Sequence, residues 1–145
     1  MRAVVQRVSW ARVWVVEELV GEIGPGLCAL VAVAPGDDEP MAAALAAKLW
    51  HLRVFDDAGG AMNHSVAETT KAVLVVSQFT LYGDTSRGRR PSWAAAAPAA
   101  DAEPLVEAVV AQLRARGATV ATGRFGASMR LELANDGPVT LLVDV

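Results

Sequence analysis

Met1 to Val8 and Ala11 to Val16 are short valine-rich segments with polar interruptions, and Leu19 to Ile23 carries the pattern to a Gly24-Pro25-Gly26 turn. Alternation broken by turn signals predicts a meander of strands. Leu27 to Val33 is an unbroken apolar run of strand length, which predicts a central strand buried on both faces and ended by Pro35-Gly36. Beyond Asp37-Asp38-Glu39 the period changes. Met41, Leu45, Leu49 and Leu52 share one face of a helix. Pro40 suits its first turn, where a missing N–H needs no partner and the acids face the positive dipole end. Val54-Phe55 begins another strand, Asp57-Ala58-Gly59-Gly60 turns, and Lys71 to Phe79 holds a second strongly buried strand, Ala72 to Val76.

The alanine-rich stretch Ala94 to Ala102, with Pro98 inside it, reads as a connection. Asp101 is expected to cap a second helix with Pro104 still in its first turn. Leu105, Val109 and Leu113 form the buried stripe of that helix, and Arg114, Arg116 and Gly117 are its C-terminal signals. Thr119 to Gly123 and Met129 to Ala134 read as strands, followed by a turn at Asn135-Asp136-Gly137-Pro138 and a last strand, Val139 to Val145. Strands clustered in meanders with only two helices point to an α+β fold, a mixed sheet or barrel covered by helices, rather than a repeating parallel sheet.

The 145 residues fit one domain, 1–145. At 53% hydrophobic and 20% charged, the chain is too apolar for a disordered protein. Cys28 is the only cysteine, which excludes a disulfide framework or a cysteine-built zinc cage within one chain and fits a reducing, cytoplasmic setting. The N-terminus interrupts its apolar residues with charge, unlike a secretory signal. No apolar run approaches the roughly 20 residues of a membrane helix, so no membrane partner is expected. A net charge of −3 argues against nucleic-acid binding by the whole surface and leaves room for a local basic patch.

His51, beside Trp50 on the first helix, and His64, in a loop, have no partner spacing for a Ser-His-Asp triad, and no ligand set for a metal is present. No metal and no cofactor are expected. Ser77-Gln78-Phe79-Thr80-Leu81 places two hydroxyls and an amide directly after a buried strand. Two readings stand: a strand end whose hydroxyls satisfy local backbone groups, or a site whose backbone N–H groups stabilise an oxyanion with Thr80 as nucleophile or positioning hydroxyl. Arg87-Gly88-Arg89-Arg90 is likewise either a solvated loop or a phosphate-binding one. Of the tryptophans, Trp14 and Trp50 suit the core, and Trp10 and Trp93 positions near turns. For Gly137-Pro138, cis has a base rate of about 5% in folded proteins, so the physics of the bond alone favours trans.

Val75 to Thr85, Gly88 to Ser92, Thr122 to Ala127, Asn135 to Thr140 and the N-terminal Met1 to Val8 together resemble the D-aminoacyl-tRNA deacylase family, formerly D-tyrosyl-tRNA deacylases, in order and across the whole chain. The resemblance implies a mainly antiparallel mixed sheet closing into a barrel-like single domain with two covering helices. It implies a homodimer with a cross-subunit active site that hydrolyses the ester of D-aminoacyl-tRNA, and of glycyl-tRNA mischarged on tRNA-Ala, while rejecting L-aminoacyl-tRNA. On this likeness Gly137-Pro138 is cis and serves as the chiral filter in the partner's site, and Arg7 orients it. Ser77, Gln78, Phe79 and Thr80 are the catalytic group, Met129 and Asn135 belong to the substrate pocket, and Arg87, Arg89 and Arg90 are phosphate contacts. The rival reading is a non-enzymatic nucleic-acid-binding module that works through the arginine loop. This chain departs from the family at Glu17-Glu18, at Glu68 to Lys71, at Trp93, where phenylalanine is usual, and in its run Ala94 to Ala100.

Overall fold

In the computed structural model, which describes residues 1–145, the first two expected strands are one. β1 runs from Arg2 to Val15, and its buried face changes midway: Ala3 and Val5 are buried on one side, then Arg7 and Val8 are buried in succession, and Ala11 and Val13 are buried on the other. Register shifts against the last strand fall at the same place, between Gln6 and Trp10. A bulge lets one strand keep pairing while its side chains change face, so a break in alternation is not a break in the strand.

β2 (Glu18–Ile23) and β3 (Gly26–Ala32) both pair antiparallel with β1, β2 along its second half and β3 along its first. Helix α1 (Glu39–His51) follows, with Pro40 in its first turn and the Asp38 carboxylate accepting from the Met41 N–H at 3.0 Å. After a small hairpin of β4 (Phe55–Asp56) and β5 (Met62–His64), β6 (Ala72–Ser77) pairs parallel with β3. Helix α2 (Ala99–Ala115) leads to β7 (Val120–Thr122), parallel to β6, and β8 (Arg130–Asp144) runs antiparallel along β1. The α+β expectation of a mixed, barrel-like sheet with two covering helices holds.

The barrel nearly closes where its two end strands, β2 and β7, approach without pairing. A Cβ on Gly21 would lie 2.3 Å from the Thr122 carbonyl oxygen, so only glycine lets the two backbones approach this closely. Gly21→Ala is expected to destabilise the protein by about 1–3 kcal/mol through forced separation of this seam. Urea unfolding measures it, and an unchanged midpoint would mean the seam yields freely.

Alternate residues of the central strands feed two cores. Leu27, Ala29 and Val31 of β3 and Val73 and Val75 of β6 pack with Leu45, Leu49, Val109 and Leu113 of the helices. Cys28, Leu74 and Val76 point the other way, into the barrel, with Val8, Val13 and Ile23. Burial pushes the Cys28 thiol up to about 12.

Four expectations are corrected. Asp101 does not cap α2; Pro98 occupies that position, Asp101 lies in the first turn and Pro104 lies inside the helix. The stretch Ala94 to Ala102 is therefore only partly a connection, since its last residues are helical and Ala102 is buried. Asn135 to Pro138 do not reverse the chain: both halves of β8 pair with β1, and the segment is looped out within one strand. Trp14 lies half-buried on the sheet rather than in the core, its indole N–H donating to Glu132 Oε2 at 3.0 Å and Arg130 stacked over its ring.

Candidate active site

β6 stops at Ser77, one residue beyond the expected Ala72 to Val76. Gln78 leaves the sheet while its backbone N–H still donates to the Val31 carbonyl at 2.7 Å, which anchors the exit to β3. Phe79–Tyr82 then forms a single 3₁₀ turn, whose opening N–H groups have no acceptor within the turn. The Gln78 side-chain amide donates to the Thr80 hydroxyl. Phe79 is 51% exposed and meets Trp93 edge to face, with ring centroids 5.6 Å apart and planes at 73°. Gly83 makes that pairing possible: a Cβ there would lie 2.5 Å from the Trp93 ring.

These elements border a cleft of about 570 Å³. Ser77 and Gln78 form its polar end, and Phe79, Trp93, Phe125 and Met129 supply bulk. Much of the remaining wall is alanine, with Ala96 and Ala97 before α2 and Ala99 and Ala102 at its start, and Val33, Val76 and Leu131 join it. Met129 is positioned by its own loop, since its Sδ accepts the Arg124 N–H at 3.4 Å. A mostly apolar concavity with a few polar groups at one end is the usual form of a small-molecule site. Of the expected site residues, Ser77, Gln78, Phe79 and Met129 come together here, with Thr80 joined through Gln78.

Asn135, Gly137, Pro138 and Arg7 do not line this cleft. They build a separate projection. Between the pairs Gln6–Thr140 and Val8–Asn135, β8 advances five residues while β1 advances two, so Gly137 and Pro138 are pushed out into solvent. Their peptide bond is cis, as the resemblance implies. Three ties hold the projection. Val139 is buried in the main core. The Asn135 amide donates to the carbonyls of Arg7 at 3.0 Å and Val139 at 3.1 Å, so Asn135 closes the bulge rather than lining the cleft. The buried Arg7 guanidinium donates to the carbonyls of Val54 at 2.6 Å, Asp136 at 3.1 Å and Gly137 at 3.2 Å, with the Asp56 and Asp136 carboxylates beside it.

Arg87, Arg89 and Arg90 are solvent-exposed on a loop closed by the Asp84–Ser92 bridge, immediately before Trp93. Hydrogen bonds from the Ser86 side chain and, at 2.8 Å, from the Ser86 N–H hold the Asp84 carboxyl below the usual carboxylate range. His51 and His64 lie away from the cleft, and no group of three or more His, Cys, Asp or Glu side chains converges to hold a metal. No helix is long and apolar enough to cross a membrane.

Residues 4–144 match the model of one protein family, D-Tyr-tRNA(Tyr) deacylase. The chain belongs to that family. A D-aminoacyl-tRNA deacylase of Acidothermus cellulolyticus is 62% identical over 146 residues, covering 100% of this chain and 99% of the relative. One from Nocardia farcinica is 59% identical, covering 99% of each. The solved structure of a c-Myc DNA Unwinding Element Binding Protein superposes with a TM-score of 0.93 at 36% identity, covering 100% of this chain and 99% of that one. As a D-aminoacyl-tRNA deacylase, this protein is a hydrolase of the ester bond that joins the amino acid to tRNA, a proofreading activity in translation. Trp93, Phe125 and the alanine wall are parts of this deacylase's cleft that local sequence patterns do not mark. The one available signal was the run of alanines itself, where the absence of bulk leaves the space.

Proposed function

We propose that the deacylase works as a two-fold homodimer in which Gly137 and Pro138 of each subunit enter the partner's cleft as a chiral filter. The observation that carries this reading is that Gly137–Pro138 is firmly held, exposed and outside its own chain's cleft. β8 adds support, with an outer edge that pairs with nothing and exposed Leu141 and Leu142. Light scattering in solution is expected to read twice the 15.2 kDa chain mass. A stable monomer with full activity would remove the cross-subunit site.

In this reading the cleft takes the terminal adenosine of the tRNA between aromatic and alanine walls, with the ester at Ser77 to Thr80. The reaction uses the substrate's ribose 2′-OH and the backbone donors near Phe79, rather than Thr80 as a covalent nucleophile. The Thr80 hydroxyl faces the amide of Gln78, a donor that cannot take its proton. Thr80→Ala is accordingly expected to lose far less than the roughly 10⁴-fold or more that removal of an obligatory nucleophile costs. An aminoacyl-Thr80 adduct caught by mass spectrometry would reverse the assignment.

Glycyl-tRNA mischarged on tRNA-Ala belongs to the substrates, and Arg87, Arg89 and Arg90 meet tRNA phosphates beside the cleft. The setting is the cytoplasm, where aminoacyl-tRNA is made.

A further inference from the structure

A second cavity of about 370 Å³ lies between α2 and the β6–β7 pair. It meets the first at Ser77 and Phe125, which line both. Its lining is unlike that of the first. Val106 and Val110 form an apolar floor, while Glu103, Glu107, Arg114 and Thr122 stand around it. Glu103 and Glu107 are one helical turn apart and exposed, with no hydrogen-bond or ion-pair partner in the chain; Arg114 holds only the Val120 carbonyl, at 3.3 Å.

We infer that this second cavity is the subsite for the nucleotide that precedes the terminal adenosine, a cytidine in every tRNA, with Glu103 and Glu107 accepting from its exocyclic amino group. The inference rests on the reading that places adenosine in the first cleft and the ester at Ser77 to Thr80. With the adenosine so seated, two parts of the substrate leave the cleft, the amino acid and the preceding nucleotide, and a cavity that begins at Ser77 and Phe125 receives one of them.

The chemistry of the lining selects the nucleotide. D-amino-acid side chains vary in charge and size, and two carboxylates would repel an acidic one and favour a basic one. A fixed pair of acceptors suits a ligand that is the same in every substrate. Cytosine presents an amino donor, for which carboxylates are the matching acceptors, and a flat ring that an apolar floor can carry. Uracil places a carbonyl oxygen at the same position, where a carboxylate repels it. Arg114, on the same helix face, supplies the positive charge that a neighbouring phosphate requires.

The test compares D-tyrosyl-tRNA ending in CCA with the same tRNA ending in CUA. The wild-type protein is expected to prefer cytidine by roughly tenfold in kcat/KM, the size of one good base-edge contact. The double variant Glu103→Gln/Glu107→Gln is expected to lose that preference, because a glutamine amide offers either a donor or an acceptor. Equal rates on the two tRNAs with the wild-type protein overturn the subsite, and this result needs no variant to fold. A cytidine preference that persists in the double variant overturns the role of the glutamates. So does a variant whose preference between D-lysyl and D-aspartyl esters changes in its place, which would assign the cavity to the amino acid. Replacing the terminal adenosine by cytidine tests the underlying reading separately: undiminished hydrolysis of that substrate would remove adenosine from the first cleft.

Discussion

Given D-tyrosyl-tRNA, D-aspartyl-tRNA, glycyl-tRNA and L-alanyl-tRNA in turn, the purified protein is expected to release the first three amino acids and to leave L-alanine attached. The D-tyrosyl and D-aspartyl rates should be comparable, and the L-alanyl rate lower by on the order of 10³-fold or more. Apolar recognition of side chains cannot produce this order, since each methylene is worth only about 1–3 kcal/mol and the benefit depends on which amino acid is present. Backbone atoms of Gly137–Pro138 placed where an L side chain begins would refuse every L residue at its first carbon. Glycine has no such carbon, and a D side chain points elsewhere. The obstacle discriminates only if it cannot move aside, and its three ties, to Arg7, Asn135 and Val139, supply that rigidity. Efficient release of L-alanine would show that selection does not occur at that carbon.

Arg7→Ala is expected to be the most damaging single substitution outside the cleft. The guanidinium is buried and satisfies three carbonyls from two distant segments of the chain, with two carboxylates alongside. Its removal leaves those acceptors without a donor and the carboxylates without a cation. The two carboxylates stay half-exposed and can turn to water, so the cost is that of a buried acceptor left without its donor, about 1–3 kcal/mol, together with the lost packing of the side chain. Arg7→Lys keeps the charge, but an ammonium cannot reproduce the planar fork that reaches Val54 on one side and Asp136 and Gly137 on the other. It should fold better than the alanine variant while still relaxing discrimination against L-alanyl-tRNA. Urea unfolding and the D/L rate ratio measure the two effects. Wild-type stability with wild-type selectivity in Arg7→Ala would remove Arg7 from both roles.

The elements that the sequence made legible are those decided locally. The acids Asp37 to Glu39, Pro40 and the Leu45–Leu49 stripe suffice for α1, because dipole-facing charge, first turn and buried face lie close together in the chain. The β8 bulge is hidden for the opposite reason. Asn135-Asp136-Gly137-Pro138 carries the chemistry of a turn. Whether the chain reverses there is decided by β1, more than a hundred residues earlier, which holds both flanks. The same distance hides the work of Arg7, whose acceptors at Val54, Asp136 and Gly137 are far along the chain. Their place directly after a buried strand leaves Ser77 to Thr80 open to two readings, a structural strand end or a site, and the strand itself does not announce the cleft that Ser77, Gln78 and Phe79 line. Trp93 and Phe125 are not legible as parts of it, since nothing nearby in sequence says that their rings turn toward Ser77.

The alternation of β3 and β6 between two cores has a consequence for how this enzyme can vary. Residues 27, 29, 31, 73 and 75 and residues 28, 74 and 76 are packed by different neighbours, so substitutions in the two sets should combine additively where the sites lie more than about 7–10 Å apart and share no partner. Their downstream effects differ. The helix-side set reaches the bulge through Val139, whereas the barrel set ends against Met129, which lines the cleft. A lineage, or an engineer, could therefore adjust the hold on the Gly137–Pro138 projection from the helix side, whereas the shape of the cleft answers to both cores, since Ala97 and Ala102 of the helix-side core wall it too.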